Sequence, residues 1–246
     1  MNTAVPLPDQ VDIPDSATPY ILFQRTTYQR LAGSLPYRIL ERISPVPLYK
    51  PSVFLEASLA RDRIKHLYLT DMKAEYDAIS EHLPDRCESV LDIGCGIAAI
   101  NIFLQRHYGR ATDFFLLDRS HMEDRIVYSL EERASLYSSL ELAQEVLSRN
   151  GIDNSQIHLL ETADSNDIHV EKPIDLVISL ISWGFHYPVS VYLDEVYDVM
   201  ATGGHLIMDV RDGTSGVDDI GEKFGNVTAI GTMARRTRVL AVKRAG

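Results

Sequence analysis

The sequence predicts an α/β fold, a doubly wound and mostly parallel sheet covered by helices on both faces, and two observations carry that expectation. From about residue 70 onward, short runs that are nearly all apolar alternate with segments of helical period, and strands apolar on both sides are strands buried on both sides. The 246 residues, 45% hydrophobic and 24% charged, suffice to bury one full core and would be cramped as two large domains.

The elements follow in order. Residues 1–19 carry Pro6, Pro8, Pro14 and Pro19 among several acids, a composition that favours an extended, mobile arm which orders on ligand binding. Residues 20–69 read as short helices broken by Pro36, Pro45, Pro47 and Pro51, a helical cap that contributes to an acceptor pocket without being an independent domain. The main domain then spans 70–246. Met72, Tyr76, Ile79 and Leu83 recur at helical spacing after Thr70, a candidate N-cap, and Pro84 closes that helix. A β-rich run at 89–93 leads through Gly94-Cys95-Gly96 into a helix over 98–108 that ends at Gly109. A buried strand follows at 113–118. The stretch from Ser120 to Tyr137 is more chain than a simple crossover requires, and reads as an inserted lid or pocket wall. Next come a helix over 139–149 stopped by Gly151, strands over 156–161 and 175–181, a helix over 189–200 stopped by Gly203-Gly204, and a strand over 205–210. Runs at 226–231 and 237–242 are close enough to pair.

Charge and cysteine content narrow the partners. With 24 Lys and Arg against 35 Asp and Glu the net charge is -11, so the average field repels a phosphate backbone and no nucleic-acid partner is expected. Two segments run locally basic: Arg25 to Lys50, with Glu41 as its single acid, and Arg235 to Arg244, both read as solvated surfaces. Cys87 and Cys95 are the two cysteines, and Cys95 lies inside the glycine turn, a poor place for a disulfide, so a reducing cytoplasm fits. The N-terminus lacks a basic and apolar leader, and no stretch approaches the roughly 18 apolar residues of a membrane span, so no membrane partner is expected.

The chemistry is carried by Asp92-Ile-Gly94-Cys95-Gly96, set between a strand and a helix, where glycines let the backbone turn tightly and approach a ligand. Asp118 ends the next strand, where a carboxylate can accept hydrogen bonds from both hydroxyls of a ribose. The spacing of Gly94, Gly96 and Ala99 also fits a dinucleotide fingerprint, so the glycines do not choose a cofactor. Asp92 does more of the choosing: a carboxylate two residues before the first glycine suits a sulfonium or ammonium and repels a pyrophosphate.

These motifs resemble the class I S-adenosylmethionine-dependent methyltransferases, over roughly residues 70 to 244. The resemblance implies a seven-stranded sheet with a reversed last strand, S-adenosylmethionine as cofactor and S-adenosylhomocysteine as product. It implies cofactor contacts from Asp92, Gly94, Cys95, Gly96, Asp118, Arg119, Ala163, Asp164 and Leu180, with Asp118 on the ribose and Asp164, in the Ala163-Asp164-Ser165 element, near the adenine amine. Ala98 departs from the pattern, standing where many members have a third glycine.

The segment Ser182-Trp183-Gly-Phe-His186-Tyr187 follows the fourth strand, at the sheet edge where reacting groups sit. His186 is the candidate general base, because imidazole titrates near neutral pH. Trp183, Tyr187, His121 and Arg211 are candidates to contact the acceptor, and Asp209 beside Arg211 could bind a polar one. His121, Glu123 and Asp124 lack a second ligand cluster, so no metal site is expected. The expected activity is methyl transfer to an O or N nucleophile of a small molecule, by a protein that could act as a homodimer. An NAD(P)-dependent oxidoreductase and a non-catalytic relative are the rival readings.

Overall fold

The computed structural model describes residues 11–44, 46–109, 111–118, 139–161 and 166–245. The expected lid at 120–137 therefore lies outside the described residues.

Seven strands form one sheet in the order β3-β2-β1-β4-β6-β8-β7, with β1 (Ser89–Ile93), β2 (Asp113–Asp118), β3 (Ile157–Glu161), β4 (Ile174–Ser179), β6 (Met200–Arg211), β7 (Val227–Met233) and β8 (Arg236–Val242). The pairs β1 with β2, β1 with β4, β2 with β3 and β4 with β6 are parallel, whereas β8 runs antiparallel to both β6 and β7. The expected doubly wound sheet with a reversed last strand is what the chain forms. Chain order reverses between β1 and β4, so the carboxyl ends of these two strands flank the switch point where open α/β sheets leave a crevice.

One sheet face packs against α4 (Arg61–Ile79), α5 (Ile100–Tyr108) and α6 (Leu140–Arg149); the other packs against α7 (Leu193–Val199) and α8 (Gly216–Phe224). Ser139 caps α6 by accepting from the Leu142 amide at 3.2 Å, and Gly151 leaves the helix at φ 87, as its sequence signals predict.

The N-terminal region shows the largest differences from expectation. Of the expected arm at 1–19, residues 1–10 lie outside the described residues, and over 11–19 the side chains of Val11, Ile13, Ala17 and Thr18 are buried. Pro36 and Pro51 start helices instead of breaking them, in the first turns of α2 (Leu35–Ile43) and α3 (Tyr49–Leu59), where a missing N–H costs nothing. Thr70 is not an N-cap; it sits mid-way along α4, its hydroxyl donating to the His66 carbonyl at 2.7 Å. Consequently α4 runs unbroken through the expected boundary between cap and main domain. With α1 (Thr18–Gln24), these helices share one continuous core with the sheet: Ile21, Leu22, Val53 and Ile64 pack in the same cluster as Val90, Ile97 and Phe103. Glu56 fixes the loop before α2, accepting from the Arg30 and Leu31 amides at 2.8 and 2.9 Å and from Arg63 at 2.8 Å.

Candidate functional site

The site is built around the turn after β1. Gly94 and Gly96 take φ values of 72 and 58, the left-handed region that glycine enters without a Cβ penalty. A Cβ on Gly94 would lie 1.7 Å from Ser182 Oγ, and one on Gly96 would lie 2.8 Å from Gln24 Oε1. Both positions thus favour glycine by conformation, and Gly94 requires it for space as well, whereas the Gln24 side-chain end beside Gly96 can shift. The neighbours are informative: Ser182 begins β5 (Ser182–Tyr187), a short strand outside the main sheet, and Gln24 ends α1 of the cap. The cap therefore reaches the glycine turn.

Ala98 has φ 56, so the position that departs from the family pattern also adopts the conformation a glycine would favour. Ile181, between β4 and β5, has φ 61, a strained conformation for a β-branched residue. Ser179 holds this bend in place, its hydroxyl donating to the Ile93 carbonyl and accepting from the Trp183 amide, both at 2.9 Å. Leu180, in the same bend, is half-buried against the core. The ends of β1 and β4 are in this way tied to each other at the switch point.

Two buried carboxylates flank the turn. Asp92 is 4% exposed and accepts from Asn101 Nδ2 at 2.7 Å; burial pushes its pKa up to about 7, the Asn101 hydrogen bond pulling it down and the Asp118 charge adding to the rise. Asp118, also buried, accepts from the Gly96 amide at 2.8 Å through Oδ2. Cys95 is buried between these acids, and burial first, then their charges, push its thiol well above the ordinary range, so it carries no nucleophilic thiolate.

The cap adds residues that the sequence did not mark. Tyr68 of α4 takes a hydrogen bond from the Ala99 amide and lies close enough to Arg25, Asp92 and Cys95 to feel their charges. Tyr28 donates to Asp71 and is also near Arg25. Both tyrosines have raised pKa values, burial being the main cause, and stay protonated. The excess of tyrosine in the cap was visible in the sequence; which tyrosines face the turn was not, because that depends on how α1 and α4 pack.

The acceptor-side candidates separate. Tyr187 Oη stands 3.4 Å from Ser182 Oγ, which brings it back toward Gly94. Trp183 does not line a pocket: it is fully buried and its Nε1 donates to the Val189 carbonyl at 2.8 Å, so it props β5 from beneath. Asp209 is likewise core, its carboxylate holding Arg238 at 2.7 and 2.9 Å. Arg211 is exposed, with its guanidinium 5.9 Å from the Phe185 ring centroid. His186 is exposed, edge-on to Phe185 at 5.1 Å; surrounding protein atoms first, and Arg211 second, hold its pKa below the usual imidazole value. Arg119, His121, Ala163 and Asp164 lie outside the described residues. No group of three or more His, Cys, Asp or Glu that could hold a metal ion occurs among the described residues.

A reversed strand, β8, set between β6 and the edge strand β7, and a glycine turn between two buried acids at the switch point define a class of fold: the chain has the class I methyltransferase fold. A candidate O-methyltransferase from Nostoc punctiforme superposes with a TM-score of 0.55 at 14% identity, over 93% of this chain and 72% of that one. A 16S rRNA methyltransferase from T. thermophilus, solved with AdoMet and guanosine, gives 0.49 at 16% identity over 72% of this chain, which spans 42% of that protein. A SAM-dependent O-methyltransferase from Thermotoga maritima gives 0.47 at 15% identity, over 71% and 65% of the two chains. No family model matches the sequence, and no curated protein matches it significantly.

Proposed function

We propose that the chain is an S-adenosylmethionine-dependent methyltransferase acting on an O or N nucleophile of a small-molecule acceptor. One observation carries the reading: Asp92 is a buried carboxylate whose hydrogen-bond donor is a neutral amide, and it forms no ion pair among the described residues. A buried carboxylate in that state is poised for a cation, and an amino-acid ammonium or a sulfonium supplies one. Asp118 at the end of β2 suits ribose hydroxyls, and a pyrophosphate approaching the same turn would meet two acids. The donor set thus fits an adenosyl cation better than a nicotinamide dinucleotide.

When bound, the cofactor would supply an electrophilic methyl group that needs little further activation. The protein's own contribution is then alignment and exclusion of water, effects that reach about 7 to 11 kcal/mol in well-oriented systems. Asp92, Asp118 and the glycine turn would hold the donor, with Gln24 and Tyr68 of the cap closing over it. Tyr187 would face the acceptor, and His186, neutral near pH 7, would accept the proton of an acceptor hydroxyl at an imidazole nitrogen. The net charge of -11 favours a small acceptor over nucleic acid.

A thermal-shift comparison tests the reading. S-adenosylhomocysteine should raise the melting temperature and NADH should not. A shift with NADH alone would overturn it.

A further inference from the structure

The amphipathic helix α2 is mounted the wrong way round for a helix of a protein core. Tyr37 is its one buried residue, with Glu41 beside it accepting from the Tyr37 hydroxyl at 2.8 Å. The apolar residues Leu35, Ile39 and Ile43 recur every four positions and are 69%, 54% and 73% exposed, with Leu40 beside them. Leu55 and Leu59 of α3 are exposed as well. A face of this kind normally packs inward; here, among the described residues, it is left uncovered.

Charge identifies the occupant. Residues 25–50 hold Arg25, Arg30, Arg38, Arg42 and Lys50 against Glu41, a net +4, which leaves -15 for the rest of a chain whose total is -11. On α2, Arg38 and Arg42 lie along the flank of the apolar face and are exposed. Long basic side chains bordering an apolar stripe let the stripe sink into a leaflet while their heads stay at the level of lipid phosphates. A second copy fits poorly, because a two-fold contact would set this basic segment against itself. A rigid protein partner would need a groove matched to a helix that projects from the chain, whereas a fluid leaflet needs no matching shape.

We propose that α2, with the exposed end of α3, docks this protein peripherally on an anionic lipid surface. No described helix is long and apolar enough to cross a membrane, and lying on a leaflet requires none. The proposal therefore replaces the expectation of no membrane partner. It is independent of the methyl-transfer reading.

Co-sedimentation of the full chain with vesicles tests it, comparing pure phosphatidylcholine with phosphatidylcholine containing about 30% phosphatidylglycerol. The protein should pellet with the anionic vesicles, and less so as salt rises. Ile39→Asp with Ile43→Asp should abolish pelleting, and Arg38→Glu with Arg42→Glu should reduce partitioning by at least about thirtyfold. These positions are exposed, so an unchanged melting temperature verifies the fold of each variant. Failure to pellet with anionic vesicles, or equal pelleting with neutral ones, would overturn the proposal. So would a dimer, formed without lipid, that the aspartate variants dissociate.

Discussion

Asn101 Nδ2 reaches Asp92 Oδ2 at 2.7 Å, and this single neutral donor faces a carboxylate that is 4% exposed. The Asn101 Oδ1 on the same amide has no hydrogen-bond partner among the described residues. A buried acid met by half of an amide is a site under electrostatic tension, and that tension makes the fold's stability and its ligand affinity depend on pH.

Asp92 titrates near 7 in the folded chain against 3.8 ordinarily. The folded state holds a proton that the unfolded state releases, so its contribution is full below about pH 4 and is lost as pH rises toward 7. Asp92→Asn should therefore stabilise the ligand-free protein at pH 8 by up to about 4 kcal/mol, with little effect at pH 4. Urea unfolding at both values checks this. A cationic ligand should bind more tightly to the wild type as pH rises toward 7, releasing a proton, and the Asn variant should lose that dependence.

Gly94→Ala should destabilise strongly, because the added Cβ meets Ser182 Oγ at 1.7 Å and φ is 72. Removing the clash with Ser182→Gly in the same chain should recover the steric part and leave about 1 to 2 kcal/mol of left-handed backbone cost. Equal melting temperatures for the single and double variants would contradict the assigned contact.

The Asp209–Arg238 pair is 0% and 1% exposed, with Glu75 of α4 a further 2.6 Å from Arg238. Asp209→Ala should cost up to about 3 to 5 kcal/mol by removing one of the two carboxylates that hold the buried arginine and leaving Glu75 as the other, while replacing Asp209 with Leu and Arg238 with Met together should cost far less. Denaturant midpoints of the two variants decide the matter. Were Asp209 an acceptor ligand instead, Asp209→Ala would lower acceptor affinity without lowering stability.

His186→Ala should bind S-adenosylhomocysteine as the wild type does and lose turnover with a hydroxyl acceptor. With the imidazole pKa held below its usual 6.5, turnover should rise with pH through a point under that value and then level off. A flat profile, or an undiminished rate in the variant, excludes His186 as the base.

What the sequence disclosed follows the reach of each signal. The sheet was legible because strands buried on both faces are apolar throughout, and the glycine turn because only a few residue types tolerate its geometry. The polarity of Asp209 suggested a ligand contact, but a buried partner 29 residues further on, about 100 Å of extended chain, cannot be read from residue type, and Arg238 turned out to be that partner across an antiparallel pair. Trp183 misled for the same reason, since a polar tip satisfied by a carbonyl looks in sequence like a tip awaiting a ligand. Strand β5 was hidden by its aromatic and glycine content, and α8 by its three acidic side chains and its two glycines, so neither was anticipated. The contact of Gln24 with Gly96 joins residues 72 positions apart and was beyond any local pattern.

The most direct test of the central claim is titration calorimetry of S-adenosylhomocysteine into the wild type and into Asp118→Asn. The wild type should bind saturably with one-to-one stoichiometry, and the variant at least about tenfold more weakly at unchanged melting temperature, as expected for a lost charge-assisted hydrogen bond. Absence of binding to the wild type, or equal affinity in the two proteins, would contradict the claim.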